Sequence, residues 1–418
     1  MTKRLREVEQ EIRRCSRCGQ CRSVCPVFAE SLVESHVARG KIALAGAALD
    51  ESLDVSRTLS NRMSLCLNCK TCIENCPAEV RVDEIVLAAR DHLHEKGKNP
   101  FLKHAFIDNV WTRGRVFARF VQTASRMQPL LFKRGEGGGG TARIPLAGVD
   151  SERRIPMFES RSLLSRIPEV ISPEGKPRMR VALFVGCATN WVYPGIGESM
   201  IRVLVDSGVE VVIPRGQECC GVPMLNAGDF DRAGKQMEKN RAIFAGHGYD
   251  AVVTGCASCG LALKKEMEEI LETGPYLPQV PVYDFTELLA REIGVEPGAL
   301  DKTVRVTYHD PCHLNRGQGI TAEPREVLQS IPGVEFAEMP EADRCCGGGG
   351  LFSLSHYDVA LKIGSRKAES IRETGAHIVA TTCPACMIQL TDAIARSGQD
   401  VRVMHVAELL VRKLTSNE

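Results

Sequence analysis

Eighteen cysteines in 418 residues fall into four ordered groups, and that order constrains the chain more than any other feature. Eight make two copies of one run: Cys15, Cys18, Cys21 and Cys25 followed by Pro26, then Cys66, Cys69, Cys72 and Cys76 followed by Pro77. Ten make two sets of five: Cys187, Cys219, Cys220, Cys256 and Cys259, then Cys312, Cys345, Cys346, Cys383 and Cys386. Together these groups use every cysteine, so none is left for ordinary packing.

In a short secreted chain such a density means a disulfide framework. This chain is long, and its opening Met1-Thr-Lys-Arg-Leu-Arg-Glu7 has no apolar signal-peptide core. No segment approaches the roughly 18 consecutive apolar residues of a membrane-spanning helix. The expectation is a reducing cytoplasm, where metal binding is the leading use of clustered thiols. With 44% hydrophobic and 25% charged residues, buried cores are well supplied. A formal net charge of +1 gives no general attraction for nucleic acid.

The x2, x2, x3 spacing with a trailing proline is the bacterial ferredoxin run. Three close thiolates hold one [4Fe–4S] cube and the fourth ligates the other. Applied here, Cys15, Cys18, Cys21 and Cys76 hold one cluster, and Cys66, Cys69, Cys72 and Cys25 hold the second. Zinc, the competing metal, takes pairs of Cys-x-x-Cys instead of such runs. Residues 1–132 read as mostly helical. Glu7 to Arg14 and Arg81 to Lys96 carry helix-period apolar positions, the latter with Val82, Ile85, Val86, Ala89 and Leu93. Forty residues separate Cys25 from Cys66 and include a helical stretch near 40–49, which predicts cluster loops mounted on a helical scaffold.

Residues 133–179 read as a linker. Gly-Glu-Gly-Gly-Gly-Gly at 135–140 and three Arg-Ile-Pro repeats, ending at Pro145, Pro156 and Pro168, disfavour regular structure. From Arg180 the pattern becomes α/β and repeats itself. A strand leads to Cys187 and another to Cys312. A β-rich run precedes each Cys-Cys-Gly, and an apolar strand ends at Cys256 and at Cys383. Equivalent cysteines are offset by 125 to 127 residues, a drift too small for chance. Alternating strands and helices predict parallel sheets with sites at the strand carboxyl ends.

Five thiolates exceed the four corners of one cube, so either one bridges two irons or one is not a ligand. A redox dithiol or a zinc site is the alternative. Neighbouring side chains on a strand face opposite ways, so Cys219 and Cys220 converge only if the backbone turns. Gly221, and Gly347 to Gly350 in the second copy, give it that freedom.

The doubled five-cysteine pattern over residues 180–410 resembles the CCG-domain family. Joined to the ferredoxin runs, it is similar to the iron–sulfur subunit of glycolate or lactate oxidases. It is similar also to the C subunit of anaerobic glycerol-3-phosphate dehydrogenase and to the catalytic subunit of heterodisulfide reductase. The resemblance implies two noncubane [4Fe–4S] clusters, one per five-cysteine set, beside the two cubanes. In heterodisulfide reductases that pair cleaves a substrate disulfide. In the glycolate-oxidase branch individual CCG cysteines are often missing, whereas this sequence keeps all ten, which leaves disulfide-reductase chemistry open.

The expected fold is an α-helical two-cluster ferredoxin domain (1–132), the linker (133–179) and a duplicated α/β (CCG) region with pseudo-twofold related lobes (180–300 and 301–418). Residues 101–134 interleave Phe101, Phe106, Trp111, Phe117, Phe120 and Phe132 with Lys103, Arg113, Arg115, Arg119, Arg126, Lys133 and Arg134, against one acid, Asp108. That suits either a helix packed on the ferredoxin domain with a solvated basic face, or contact with a membrane surface or acidic partner. His309 and His313 flank Cys312. They read as structural histidines at a strand end, or as hydrogen-bond partners of a cluster sulfur or proton donors. No flavin, nicotinamide or phosphate-loop fingerprint appears, so a flavin would sit on a partner chain.

The expected function is an iron–sulfur electron-transfer subunit of a multisubunit oxidoreductase. It would link a flavoprotein dehydrogenase for glycolate- or lactate-type 2-hydroxy acids to a quinone, cytochrome or other carrier. The alternative is a heterodisulfide-reductase-like subunit whose own C-terminal clusters reduce a disulfide. The expected location is cytoplasmic, with peripheral contact at the inner face of the membrane as one reading of residues 101–134.

Overall fold

The computed structural model describes residues 5–98, 110–135, 139–143, 150–246, 248–277, 280–294 and 297–411. Helices Glu9–Arg14, Ala38–Leu49, Arg57–Ser64 and Val82–Glu95 surround a core that includes Ile42, Ala45, Leu59, Met63, Ile85, Val86 and Leu93. The periodic residues of Val82–Glu95 all face inward. Asp83 and Glu84 in its first turn complement the helix dipole. Ser56 caps Arg57–Ser64 by accepting from Leu59 N. The cysteine runs ride on shorter turns. Cys25 caps Pro26–Ser31, with Pro26 in the first turn, where a missing N–H costs nothing.

The glycine- and proline-rich stretch carries more regular structure than its composition suggests. Strands β1 (Phe132–Arg134), β2 (Gly139–Ala142) and β3 (Ile155–Pro156) form a small antiparallel sheet. Gly139 and Gly140 are buried in it. A Cβ on Gly140 would lie 2.6 Å from Met157 Sδ and 3.2 Å from Phe132 Cβ. Close approach, not flexibility, is the reason for glycine there. A short helix, Leu163–Arg166, and strand β4 (Val170–Ile171) follow. Leu163 is fully buried in the core of the α/β region.

That region holds two sheets. Strands β5 (Met179–Leu183), β6 (Val209–Val212), β7 (Ala251–Thr254) and β8 (Val282–Asp284) join β4 in the order β4-β6-β5-β7-β8. Strands β9 (Val304–Tyr308), β10 (Val334–Phe336), β11 (Ile378–Thr381) and β12 (Arg402–His405) take the order β10-β9-β11-β12. Both copies therefore share one parallel arrangement, in which the second strand flanks the first, followed by the third and fourth. The added edge strand β4 is antiparallel. Central strands β7 and β11 are buried along their whole length, as continuous apolar strands covered on both faces should be. One apolar cluster runs through both sheets, from Leu183, Val211 and Val253 to Tyr308, Ile378 and Val406.

The helical domain docks on the α/β region through apolar and charged contacts. Val27, Leu67 and Cys69 share a buried cluster with Cys345, Phe352 and Ile363, where each large apolar side chain contributes roughly 1.5–3 kcal/mol. Lys70 bridges Asp83 at 2.5 Å and Glu266 at 3.0 Å. Arg90, on the Val82–Glu95 helix, is buried with no acid in its hydrogen bonds. Its guanidinium donates to the carbonyls of Met63 (3.0 Å), Cys66 (2.8 Å) and Asn226 (3.0 Å). It thereby pins the second cysteine loop to the first α/β lobe. Arg90→Met should lower the unfolding free energy by about 2–4 kcal/mol, because several buried carbonyls lose this donor together. Chemical denaturation of the two proteins checks this, and a difference below about 0.5 kcal/mol, the range of an ordinary surface change, contradicts it.

Candidate iron–sulfur sites

The two N-terminal runs turn alike. Each passes through left-handed backbone at matching places, Arg17 and Gly19 in the first and Asn68 and Lys70 in the second. Three of these four are not glycine, so the surrounding contacts hold the strain. Spacing gave no sign of this. The turns bring Cys15, Cys18, Cys21 and Cys76, with Cys72, around one pocket of about 30 Å³. Cys25, Cys66, Cys69 and Cys72 line a second of about 40 Å³. The last cysteine of each run thus stands with the first three of the other. Cys72 lines both pockets, so the two adjoin. Burial pushes the Cys25 thiol up to about 12, although Phe28 N donates to its sulfur at 3.5 Å. Lys41, another residue the sequence did not single out, lines the second pocket and is buried. Its ammonium donates to Ser35 O (3.3 Å) and His36 O (2.6 Å). Burial brings it down to about 8, while the neighbouring Cys66 and Cys25 hold it up.

All ten remaining cysteines line a single cavity of about 120 Å³. The sequence suggested one site per set; in space the two sets share one chamber. Cys187 and Cys312 lie just past β5 and β9, and Cys256 and Cys383 lie at helix N-caps just past β7 and β11. These are the carboxyl ends of parallel strands, where open α/β sheets gather sites. The Cys-Cys pairs turn as the sequence required, through Gly221 at φ 98° and Gly347 at φ 90°.

Neighbouring thiols run in the same order in each set. The first runs Cys187, Cys219, Cys220, Cys259, Cys256, and the second Cys312, Cys345, Cys346, Cys386, Cys383. Cys256 and Cys383 meet and join the two lobes. Cys69 meets Cys345 and joins the helical domain to the second lobe. Neighbouring thiols on both sides hold Cys219, Cys346 and Cys383 well below the usual thiol range. Their neighbours Cys187, Cys220 and Cys386 are pushed well above it by the same proximity and then by burial, and Cys312 is pushed up by Cys345 and then by burial. None of the eighteen is in a disulfide. Thiols sharing protons this closely repel one another once ionised, so a thiophilic cationic centre fits this donor set.

The two histidines beside Cys312 have different surroundings. His313 Nε2 lies 3.1 Å from Asn68 O, tying the second lobe to the second cysteine loop. His309 is buried, and burial lowers it to about 3, leaving a neutral imidazole. Its ring lies with Cys346 and Cys386, the ligating atoms all within 4.8 Å of one another.

The basic, aromatic stretch is described from residue 110; Phe101, Lys103, Phe106 and Asp108 lie outside the described residues. Helix Gly114–Leu131 is amphipathic. On its inner side Phe117 stacks on Trp111 at 5.4 Å and meets Trp191 edge-on at 6.5 Å. Gln128 donates to Phe158 O at 3.1 Å and accepts from Phe158 N at 2.8 Å. Val116, Phe120, Met127 and Leu130 are exposed on its outer side. No described helix is long and apolar enough to cross a membrane.

A family model described as a cysteine-rich domain matches twice, at residues 181–264 and 306–391. One described as a 4Fe-4S dicluster domain matches residues 11–80. A fumarate reductase (CoM/CoB) subunit of Methanothermobacter marburgensis is 32% identical over 416 residues, spanning 96% of this chain and 72% of the relative. The probable glycolate oxidase iron-sulfur subunit of Bacillus subtilis is 29% identical over 424 residues, spanning 96% and 94%. Lactate utilization protein A of Oceanobacillus iheyensis is 32% identical over 238 residues, spanning 56% of this chain and 96% of that protein. With both modules matched in order, the chain belongs to the CCG-domain iron–sulfur proteins, oxidoreductase subunits in which a 4Fe–4S dicluster domain precedes two cysteine-rich domains.

Proposed function

We propose that this chain is the electron-transfer subunit of a complex that oxidises a 2-hydroxy acid of the glycolate or lactate type. It takes electrons from a flavin on a partner dehydrogenase and delivers them to a quinone, a cytochrome or another carrier. The observation that carries this reading is the unbroken succession of thiol groups. Cys72 is common to the two N-terminal pockets, Cys69 shares a buried cluster with Cys345, and Cys383 shares one with Cys256. A relay needs such a line. The names of two relatives, a glycolate oxidase subunit and a lactate utilization protein, support the substrate class.

In this reading Cys15, Cys18, Cys21 and Cys76 hold one cubane, and Cys66, Cys69, Cys72 and Cys25 the other. Each five-cysteine set holds a noncubane [4Fe–4S] cluster, the two lobes being related by a pseudo-twofold axis. Clusters bound there supply one-electron transfer. The chain's residues hold, shield and tune them. Lys41 sets a buried positive charge beside the Cys25 and Cys66 thiolates, Arg90 fixes the loop that carries Cys66, and apolar neighbours such as Leu67, which lines both its pocket and the large cavity, keep water out.

The shared cavity favours a second reading, reduction of a disulfide by this chain itself. All ten thiols face a chamber that His309, His313 and Asn226 also line. Cleaving a disulfide to two thiols takes two electrons and two protons, and two one-electron centres on one chamber suit that count. The fumarate reductase (CoM/CoB) relative supports it by name.

The outer face of helix Gly114–Leu131 gives the relay a place to meet a membrane-dissolved acceptor. Val116, Phe120, Met127 and Leu130 form an apolar stripe, and Arg115, Arg119 and Arg126 form a basic stripe beside it, with no acid in the helix. Charge complementarity assigns it to an anionic lipid surface.

Anaerobically purified protein should contain about sixteen irons, four at each site. Cys25→Ser should lose about four of them and the spectroscopic signal of the Cys66 site, while the Cys15 site keeps its own. Loss of the Cys15-site signal instead would overturn the crossed assignment. The relay reading expects no turnover without the flavoprotein. Disulfide-dependent reoxidation of the reduced chain alone, abolished by Cys345→Ser or Cys346→Ser, would replace it with the second reading. Changing Arg115, Arg119 and Arg126 together to Glu should weaken binding to phosphatidylglycerol vesicles by more than about tenfold, since each basic residue near an anionic surface contributes about 1 kcal/mol. Equal binding by the variant in vesicle cosedimentation rules the lipid contact out.

A further inference from the structure

The two five-cysteine sets match in spacing, in thiol order and in the strand ends that carry them. Buried neighbours differ at several places, among them Val185 against Asp310, whose carboxylate is paired with Arg325 at 2.7 Å; two others change what faces the thiols. Three residues before the first cysteine of each set, the first copy has Phe184 and the second has His309. Their backbones are equivalent: Phe184 N donates to Val253 O, and His309 N donates to Ala380 O, both at 2.9 Å. Sixteen residues before the fourth cysteine, the first copy has Asn240 and the second has Lys367. Both lie on the long helix after the Cys-Cys pair, Phe230–Phe244 or Tyr357–Glu373, and both are 0% exposed.

Asn240 fills its place as a neutral amide. Its Nδ2 donates to Cys219 O (2.9 Å) and Tyr276 Oη (3.0 Å), and its Oδ1 accepts from Glu218 N (2.9 Å). Lys367 puts an ammonium in the corresponding place. Its Nζ donates to Glu341 O (2.5 Å) and Ala342 O (3.2 Å), just before the Cys345–Cys346 pair. Burial brings it down to about 8, and attraction to the Cys346 thiolate, Asp343, the Cys345 thiolate and Asp310 opposes that in part. His309 is 1% exposed, and neither ring nitrogen has a hydrogen-bond partner among the described residues. A buried, unpaired imidazole is costly unless something at the site accepts from it. What it faces is Cys346 and Cys386.

We infer that His309 and Lys367 hold the centre bound by the second set at a higher reduction potential than the centre bound by the first. An added electron is added negative charge. A buried cation and an N–H donor favour the reduced form, and low polarity strengthens both effects. The first copy offers a phenyl ring and an amide in their place. The inference rests on the proposed occupancy of both sets. It also gives the pair a direction. The second set is the one that touches the helical domain, through Cys69 and Cys345, so the higher-potential centre stands next to the ferredoxin-type sites and the lower-potential one beyond it.

Redox titration followed by EPR tests this on the full chain, purified anaerobically. In the wild type the two C-terminal centres should titrate apart by more than about tenfold in reduction equilibrium, about 59 mV for one electron. His309→Phe and Lys367→Asn, combined, give the second set the first set's residues and should lower one midpoint towards the other by at least that factor. The other three centres should stay unmoved. Lys367→Met, which removes the charge but keeps the bulk, should shift the same midpoint in the same direction, and it serves if Lys367→Asn fails to fold. Iron analysis separates the two claims. About eight irons per wild-type chain would overturn the occupancy and this inference with it. About sixteen irons with wild-type centres titrating together, or with midpoints unmoved in the variants, would overturn this inference alone.

Discussion

Ten thiols buried around one cavity set a charge problem that shapes the rest of the molecule. Ionised together at such distances they would repel strongly, and the interior offers little solvent to screen them. As free thiols they stand side by side, and their proximity and burial push neighbours to opposite sides of the usual thiol range. Neither state is comfortable without a cationic partner, and the soft donor set suits an iron–sulfur centre. The parallel sheets answer the geometric half of the problem. Two sheets of one strand order place four strand ends at one chamber, and glycine-permitted turns swing each Cys-Cys pair in to meet them. The buried cations answer the electrostatic half. Lys41 and Lys367 stand beside thiolates, with their own hydrogen bonds given to backbone carbonyls rather than to acids. A lysine neutralised by a carboxylate would contribute far less positive potential to the sulfurs.

The same logic explains how the helical domain is held. Long-range electron transfer needs neighbouring sites at fixed separation, so a hinge between the two regions would defeat the arrangement. The junction is correspondingly rich in contacts of different kinds. Arg90 anchors the Cys66 loop to the first lobe. His313 meets the backbone of Asn68, and Arg316 bridges Glu74 at 2.7 Å and also pairs with Asp343. Lys70 reaches Glu266, and Arg366 reaches Glu30 at 2.5 Å. Several of these residues lie within the second cysteine run itself. The loop that gathers the thiols is therefore also the loop that docks, which couples the placement of that site to the second lobe.

Much of this was legible in the sequence because cysteine spacing and hydrophobic period are local signals. The Val82–Glu95 helix, the strands leading to Cys187, Cys256, Cys312 and Cys383, and the turns at Gly221 and Gly347 all follow from residues within a few positions of one another. What escaped depended on residues far apart. The 133–179 stretch looked structureless because glycine and proline are poor in isolated strands, yet Gly140 is demanded by Met157 and Phe132 packing over it. The merging of the two sets into one chamber could not be read from spacing, because it depends on how two separate sheets face each other. Lys41 and Lys367 carry no motif. The one available signal for Lys367 was comparative and internal: the duplicated copy has Asn240 at the same distance from its fourth cysteine.

Duplication provides the control for that comparison. Two copies that keep all five thiols, the strand order and the order in which the thiols neighbour one another are under the same demand for holding a centre. Differences that survive at buried positions beside the thiols then bear on what each centre does, since packing alone would accept an apolar or amide side chain at both places. Phe184 and Asn240 show that such side chains are accommodated in this architecture. The second copy instead buries an imidazole and an ammonium, groups whose desolvation costs several kcal/mol unless local charge offsets it. Carrying that cost in one lobe and not in the other is best explained by a centre whose reduced state needs the extra positive potential. The asymmetry thus lies in the electrostatics around the thiols, while the thiols themselves remain alike.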